Sequence, residues 1–194
     1  MPTDTRETII KVAQRLFDEK GVENITMSDI AAEAKKSRRT VYTYFQSKEE
    51  LMVASIEMEV QKISSALTKV AMSKLTPDKK ILRLIFVRLS STRSIVRRNK
   101  GLSSEFFNNV WIIDHIRKTF DSKEIALFRT IISEGKQQGY FNVESPDLAA
   151  RFLHFCLKGI ELPYINGIVS KHNDDKFVEA FTKKVILNAL GAKQ

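Results

Sequence analysis

The chain has 194 residues, with 32 Lys and Arg against 23 Asp and Glu, a formal charge of +9 and 43% hydrophobic residues. That content can bury a sizeable core in one domain or two small ones. Its one cysteine, Cys156, excludes an internal disulfide and fits a reducing cytoplasm; no apolar run reaches membrane-crossing length, and the opening MPTDTRET lacks a signal-peptide core.

The first informative stretch is 26–51, TMSDIAAEAKKSRRTVYTYFQSKEEL. Thr26 with Asp29 three residues later is a capping-box pattern, in which each side chain satisfies a free amide of a first helical turn. Ile30, Ala31 and Ala34 then give one small apolar face. Ser37 can cap a second helix, where Val41 and Phe45 repeat at a step of four. Ser47 with Glu50 forms another capping box and launches a longer helix through Leu51. Two short helices joined by a tight turn make a helix-turn-helix, whose second helix can enter the major groove of DNA. Its exposed side carries Arg38, Arg39, Thr40, Tyr42 and Thr43. Arginine grips guanine bidentately, and hydroxyls suit phosphates or base edges. Spacing alone also allows a helical pair with a solvated basic turn.

Charge is focused on this stretch. Residues 1–34 hold four basic and seven acidic residues, net −3, whereas 35–48 hold five basic and none acidic, net +5. A larger excess lies at 69–123, with thirteen basic and four acidic residues.

Beyond Leu51 the pattern stays helical. A helix from Lys48 to about Ser73 breaks near Thr76-Pro77, where Thr caps and Pro fits the first turn of a helix over about 77–98. On that helix Ile81, Leu82, Leu84, Ile85, Leu89 and Val96 share a face, with Lys79, Lys80, Arg83 and Arg97 opposite. Arg88 falls inside the apolar arc, and a buried arginine needs an anion: an internal Glu such as Glu105 or Glu161, or a ligand's carboxylate. Arg97-Arg98-Asn99-Lys100 adds either phosphate attraction or a cationic helix end that favours the dipole. Asn99 and Gly101 mark a turn. The run Leu102, Phe106, Phe107, Val110, Trp111, Ile113 and Phe120 reads as core or as the lining of a roomy pocket.

A helix over about 123–138 carries Ile125, Phe128 and Ile132 and closes at Gly139. The helix at 146–165 has a wide apolar arc of Leu148, Phe152, Leu153, Phe155, Cys156 and Ile160. Its narrow polar stripe is Arg151, His154, Lys158 and Glu161, so burial on two sides is expected, and Pro163 should bend or end it. A last helix starts near Asn173-Asp174 and repeats Phe177, Phe181 and Val185 at steps of four. Such a face needs a cover: a second copy of the chain or the monomer's own core.

Catalytic patterns are not apparent. His154 and Cys156 are about 200° apart around their helix and cannot act as a nucleophile pair. No metal-ligand spacing, phosphate-binding glycine loop or paired carboxylates stand out. A non-enzymatic protein without cofactor or metal is expected.

Residues Ile9 to Leu51 resemble the N-terminal domain of the TetR family of transcriptional regulators. The matching residues are Ala13, Leu16-Phe17, Gly21, Thr26, Ile30-Ala31, Ala34, Ser37, Thr40-Val41-Tyr42, Tyr44-Phe45, Ser47-Lys48-Glu49 and Leu51. SEGKQQGYF and LAARFLHFCLKGIE resemble, more loosely, the family's C-terminal domain. Lys35, Lys36 and Arg39 depart from it, since the family usually has Gly, an apolar residue and Gly there; a non-Gly residue in a left-handed turn costs roughly 1 kcal/mol.

The resemblance implies an all-α fold of about nine helices: a three-helix bundle with the helix-turn-helix over 1–47, and a helical ligand-binding and dimerisation domain over 48–194. It implies a cytoplasmic homodimer that binds a palindromic double-stranded operator, represses transcription and is released by a small-molecule effector. Base contacts are expected from Arg38, Arg39, Thr43 and Tyr42, and phosphate contacts from Thr26, Ser37, Thr40, Tyr42, Tyr44 and Lys48. Candidates to face the effector are Arg88, Phe107, Trp111, Phe128, Phe152 and Phe155. Those for the dimer interface are Phe152, Phe155, Ile160, Phe177, Phe181 and Val185. The alternatives are a DNA-bound adaptor acting through a protein partner, and a small-molecule binder that has lost DNA affinity.

Overall fold

The structure, a computed structural model, describes residues 4–98, 110–168 and 175–192; at 98, 110–114 and 175–179 it describes the backbone alone. Eight helices are described: α1 (Thr5–Lys20), α2 (Met27–Glu33), α3 (Arg38–Tyr44), α4 (Lys48–Ala71), α5 (Pro77–Arg98), α6 (Val110–Gln137), α7 (Pro146–Ile165) and α8 (Asp175–Ala189). The described residues contain no strand, as the all-α expectation requires. The turn expected at Asn99 and Gly101, and Glu105 and Phe107, lie outside them. No described helix is long and apolar enough to cross a membrane.

Contacts divide the chain into two compact units, one of Met1–Gln61 with Ser94–Arg117, the other of Lys62–Arg93 with Lys118–Gln194. The first is built on α1, whose Ile9, Ala13 and Phe17 recur at steps of four and are fully buried. Against them lie Ile30 and Ala31 of α2, Val41 of α3 with Phe45 at its end, and Leu51 of α4. Each such large side chain contributes about 1.5–3 kcal/mol by leaving water. Gly21 ends α1 at φ +80°, and its amide donates to the Phe17 carbonyl at 2.9 Å. The one interior amide side chain of α1, Gln14, donates to the Ser55 carbonyl of α4 at 2.9 Å.

The second unit closes around Ile81, Leu84, Ile85 and Leu89 of α5, Phe128, Ile131 and Ile132 of α6, and Ala150, Leu153 and Leu157 of α7. Two expectations fail here. Lys80, placed by helical angle on the solvent face of α5, is buried and lies 2.8 Å from Glu134 of α6; its aliphatic stem fills core while the amine finds a carboxylate. Thr76 does not cap α5 with its hydroxyl, which is buried without a hydrogen-bond partner among the described residues; its carbonyl serves the first turn, accepting from the Lys80 amide at 2.9 Å. Helix α6 also begins thirteen residues earlier than the 123 expected. Gly135 is required within it, because a Cβ there would stand 2.2 Å from the Phe141 ring. Pro163 sits in the last turn of α7, which ends two residues later.

Candidate nucleic-acid interface

The helix-turn-helix is assembled by caps. Thr26 Oγ1 accepts from the Asp29 amide at 3.2 Å, and the Asp29 carboxylate accepts from the Thr26 amide at 2.8 Å. The Thr26 hydroxyl, donating to the same carboxylate at 2.6 Å, and the Thr26 amide together hold the Asp29 carboxyl below its ordinary range. Helix α2 ends in a Schellman motif: the Lys35 amide donates to the Ala32 carbonyl at 3.1 Å and the Lys36 amide to the Ala31 carbonyl at 3.0 Å. Lys35 takes the left-handed position at φ +54°. Lys35 therefore bears the steric cost of a left-handed turn residue that is not glycine.

Ser37 then caps α3, its Oγ accepting from the Thr40 amide at 3.0 Å and lying 2.8 Å from Thr40 Oγ1. Val41 points inward and is fully buried, while Arg38, Arg39, Tyr42, Thr43 and Tyr44 are exposed and Thr40 is half-buried. Lys35, Lys36, Arg38 and Arg39 have no carboxylate partner among the described residues, so their charge is directed outward. Thr43 Oγ1 donates to the Arg39 carbonyl at 2.9 Å, which presents its methyl group and oxygen lone pairs. Gln46 closes the helix by donating to the Tyr42 carbonyl at 3.0 Å.

Two expected details differ. The capping box at α4 is half-made, since Ser47 Oγ accepts from the Glu50 amide at 3.1 Å but the Glu50 carboxylate accepts from the Gln46 amide at 2.6 Å, one residue earlier than expected. Lys48 is half-buried and donates to the Val22 carbonyl at 2.8 Å, tying α4 to the loop after α1.

The second unit holds a separate constellation that sequence spacing did not assemble. Arg88 Nε donates to Glu124 at 2.8 Å and Nη1 to Glu161 at 2.8 Å, with Thr92 also accepting from Nη1. Its guanidinium carbon lies 4.9 Å from the Phe120 ring centroid. His154 Nδ1 lies 2.6 Å from Glu124, and its Nε2 is 3.7 Å from Asp121, which also accepts from Lys158 at 2.6 Å. Burial opposes charge on Arg88, but Glu161 and Glu124 outweigh it and raise the guanidinium above its ordinary value. Burial likewise opposes charge on His154, yet Asp121 and Glu124 raise its pKa to about 9. Three cations then face three carboxylates, and the cluster is neutral. Glu161 was an expected partner of Arg88; Glu124 was missed.

Of the residues expected to face an effector, Phe128 is fully buried, whereas Phe152 and Phe155 are about two-thirds exposed. The side chain of Trp111 lies outside the described residues. On α7 one residue of the expected polar stripe, His154, is interior, while Arg151 and Lys158 of that stripe are exposed; of the apolar arc Leu153 is buried, and Leu148, Phe152, Phe155 and Ile160 face outward in the single copy. Phe181 and Val185 of α8 are exposed as well; the side chain of Phe177 lies outside the described residues.

Residues 9–54 match the family model for bacterial regulatory proteins of the TetR family. The chain is 24% identical over 149 residues to the HTH-type transcriptional repressor NicS of Pseudomonas putida, covering 71% of this chain and 66% of NicS. It is 30% identical over 100 residues to an uncharacterized HTH-type transcriptional regulator of Mycobacterium tuberculosis, covering 52% of this chain and 48% of that protein. Both alignments thus span less than two thirds of the relative's length. A protein from Saccharomonospora viridis, solved in complex with choline, superposes with a TM-score of 0.74 at 18% identity, covering 97% of this chain and 98% of its own. At that identity the likeness shows the fold.

Proposed function

The chain belongs to the TetR family of DNA-binding transcriptional regulators, and on that premise we propose that it is a repressor that binds a palindromic operator as a homodimer and leaves it when a small-molecule effector binds. The observation that carries this reading is the outward, unpaired cationic face of α3. Arg38 and Arg39 are its base-reading groups, with Thr43 and Tyr42 beside them. Thr26, Ser37, Thr40, Tyr42, Tyr44 and Lys48 contact phosphates, Lys48 with the donors that Val22 leaves over.

Support for the dimer comes from the open apolar faces of α7 and α8. Phe152, Phe155, Ile160, Phe181 and Val185 lie in water in a single copy, and a symmetric second copy removes them from it. Two copies bring two reading helices to two half-sites. NicS, named a repressor, supports the direction of regulation, and the choline-bound relative supports a small-molecule effector, which acts by binding more tightly to the state that does not fit the operator. On this reading the protein is cytoplasmic and residues 48–194 form the effector and dimerisation part.

A second reading has one observation in its favour. Arg88 is satisfied by Glu124 and Glu161, so the interior does not call for a ligand anion, as suits a DNA-bound adaptor that works through a protein partner.

The test is a gel shift with DNA flanking the protein's own gene, followed by in vitro transcription from that promoter. Binding with reduced transcript supports repression, and binding with increased transcript refutes it. Release by a compound from a metabolite library separates effector control from the adaptor reading.

A further inference from the structure

The reading helix is charged at one end only. Its basic run stops at Arg39, and residues 40–46, TVYTYFQ, carry no charge. The next cation, Lys48, lies beyond α3 on α4 and gives one of its donors to the Val22 carbonyl. A seven-residue helix is about 10 Å long, and the major groove is about 12 Å wide. Both ends of such a helix therefore come near a phosphate wall, and the C-terminal end of α3 has no free cation of its own.

Helix α1 supplies one. Of its four cations, Lys11 is 2.6 Å from Glu7 and Arg15 is paired with Glu33. Lys20 lies in its last turn, where it suits the helix dipole. Arg6 makes no ion pair among the described residues. Its guanidinium carbon instead stands 5.2 Å from the ring centroid of Phe45, the residue that closes α3. The nearby Asp4 carboxylate accepts from the Arg6 backbone amide at 3.1 Å as the cap of α1. The ring of Phe45 is buried while Arg6 is exposed, so the aromatic face seats the cation and leaves its edge N–H groups toward solvent. An arginine held this way loses less conformational freedom when it meets a phosphate.

We propose that Arg6 is a phosphate-contacting residue of the DNA interface, acting at the C-terminal end of α3 from outside the helix-turn-helix. The proposal rests on the DNA-binding reading above. In an acidic segment of net −3 that neutralises two of its four cations internally, Arg6 is the one seated on the reading helix.

The test is fluorescence anisotropy of a labelled random-sequence duplex with the full chain, in potassium chloride from 50 to 200 mM, comparing wild type, Arg6→Gln, Arg6→Lys and Arg15→Gln. Arg6→Gln is expected to weaken binding several-fold at low salt and to make the plot of log affinity against log salt shallower by about 1 for each copy bound. Arg6→Lys should keep the slope, and Arg15→Gln should match wild type. An unchanged slope in Arg6→Gln with wild-type binding intact overturns the proposal alone, as does an equal loss in Arg15→Gln. A loss confined to the operator, with the random duplex unaffected, overturns the phosphate role in favour of base reading. Failure of the wild type to bind any duplex overturns this proposal and the regulator reading together. Melting temperatures by circular dichroism accompany each variant, and a slope change seen only where melting falls overturns the proposal too.

Discussion

His154 Nδ1 lies 2.6 Å from Glu124 Oε2, and both side chains are 1% exposed. The imidazole's pKa is about 9 in the folded protein against 6.5 for the free side chain. A raised folded value means that the histidine's contribution to stability is fully present below about pH 6.5 and is lost as pH rises through about 9. The full effect is on the order of 3 kcal/mol. Urea denaturation between pH 6 and 10 is therefore expected to show falling stability, and His154→Asn should flatten that fall. A profile that is flat in the wild type would refute protonated His154.

Arg88 serves Glu124 and Glu161 at once, so removing it takes a cation from both carboxylates and leaves Glu124 with His154 alone. Arg88→Met is expected to lower unfolding free energy by about 3–5 kcal/mol, the cost of leaving a buried charge unpaired. Glu161→Gln should cost less, because Glu161 is partly exposed and Arg88 keeps Glu124. Chemical denaturation at pH 7 gives both values, and the order of the two variants is the decisive result.

Lys35 at φ +54° gives a prediction of opposite sign. Lys35→Gly relieves the left-handed strain, and a gain of about 1 kcal/mol is expected in thermal or urea unfolding. The same variant loses a cation beside α3, so its DNA binding should weaken while its stability rises. A loss of stability would mean that the lysine side chain makes contacts that outweigh the strain.

Arg39 stands where the family usually has glycine. If it reads a base, Arg39→Ala relaxes sequence preference at one base pair in each half-site, at about 1–3 kcal/mol. Selection of bound sequences from a random pool measures this. A uniform loss over all sequences would make Arg39 a phosphate contact instead.

The exposed face of α7 and α8 makes an assembly prediction. Phe152→Asp with Phe181→Asp, at positions 69% and 61% exposed in one copy, should shift the protein to monomer in sedimentation velocity. Operator affinity should then fall about tenfold or more, since each phenylalanine contributes about 1.5–3 kcal/mol on burial. A variant pair that remains dimeric would place the interface elsewhere.

What the sequence disclosed was mostly local. The Thr26 and Asp29 box, the Ser37 cap and the Val41–Phe45 step depend on residues three or four apart, and all are present. The bounds of α5 followed from Pro77 and the apolar period. What stayed hidden depends on distance. Glu124 is 36 residues from Arg88 and 30 from His154, and no period links them. Lys80 looked solvent-facing because helical angle cannot see Glu134. The burial of His154 on α7 stayed hidden for a related reason. A charged stripe reads as solvent-facing only while its partners are out of sight, and here His154 meets Glu124 and Asp121 inside, whereas Arg151 and Lys158 of the same stripe stay exposed.

The α2–α3 turn is closed by two backbone hydrogen bonds, from Lys35 to Ala32 and from Lys36 to Ala31. No side chain at either position is needed to shape it. The residues at 35 and 36 can therefore be exchanged without reshaping the turn, at a conformational cost of about 1 kcal/mol when the first is not glycine. That leaves the turn as a place where charge toward DNA can drift under selection while the scaffold around Val41 and Phe45 stays still. Stability and outward charge are then tied together at position 35, whereas at 36 the charge can change without that conformational cost.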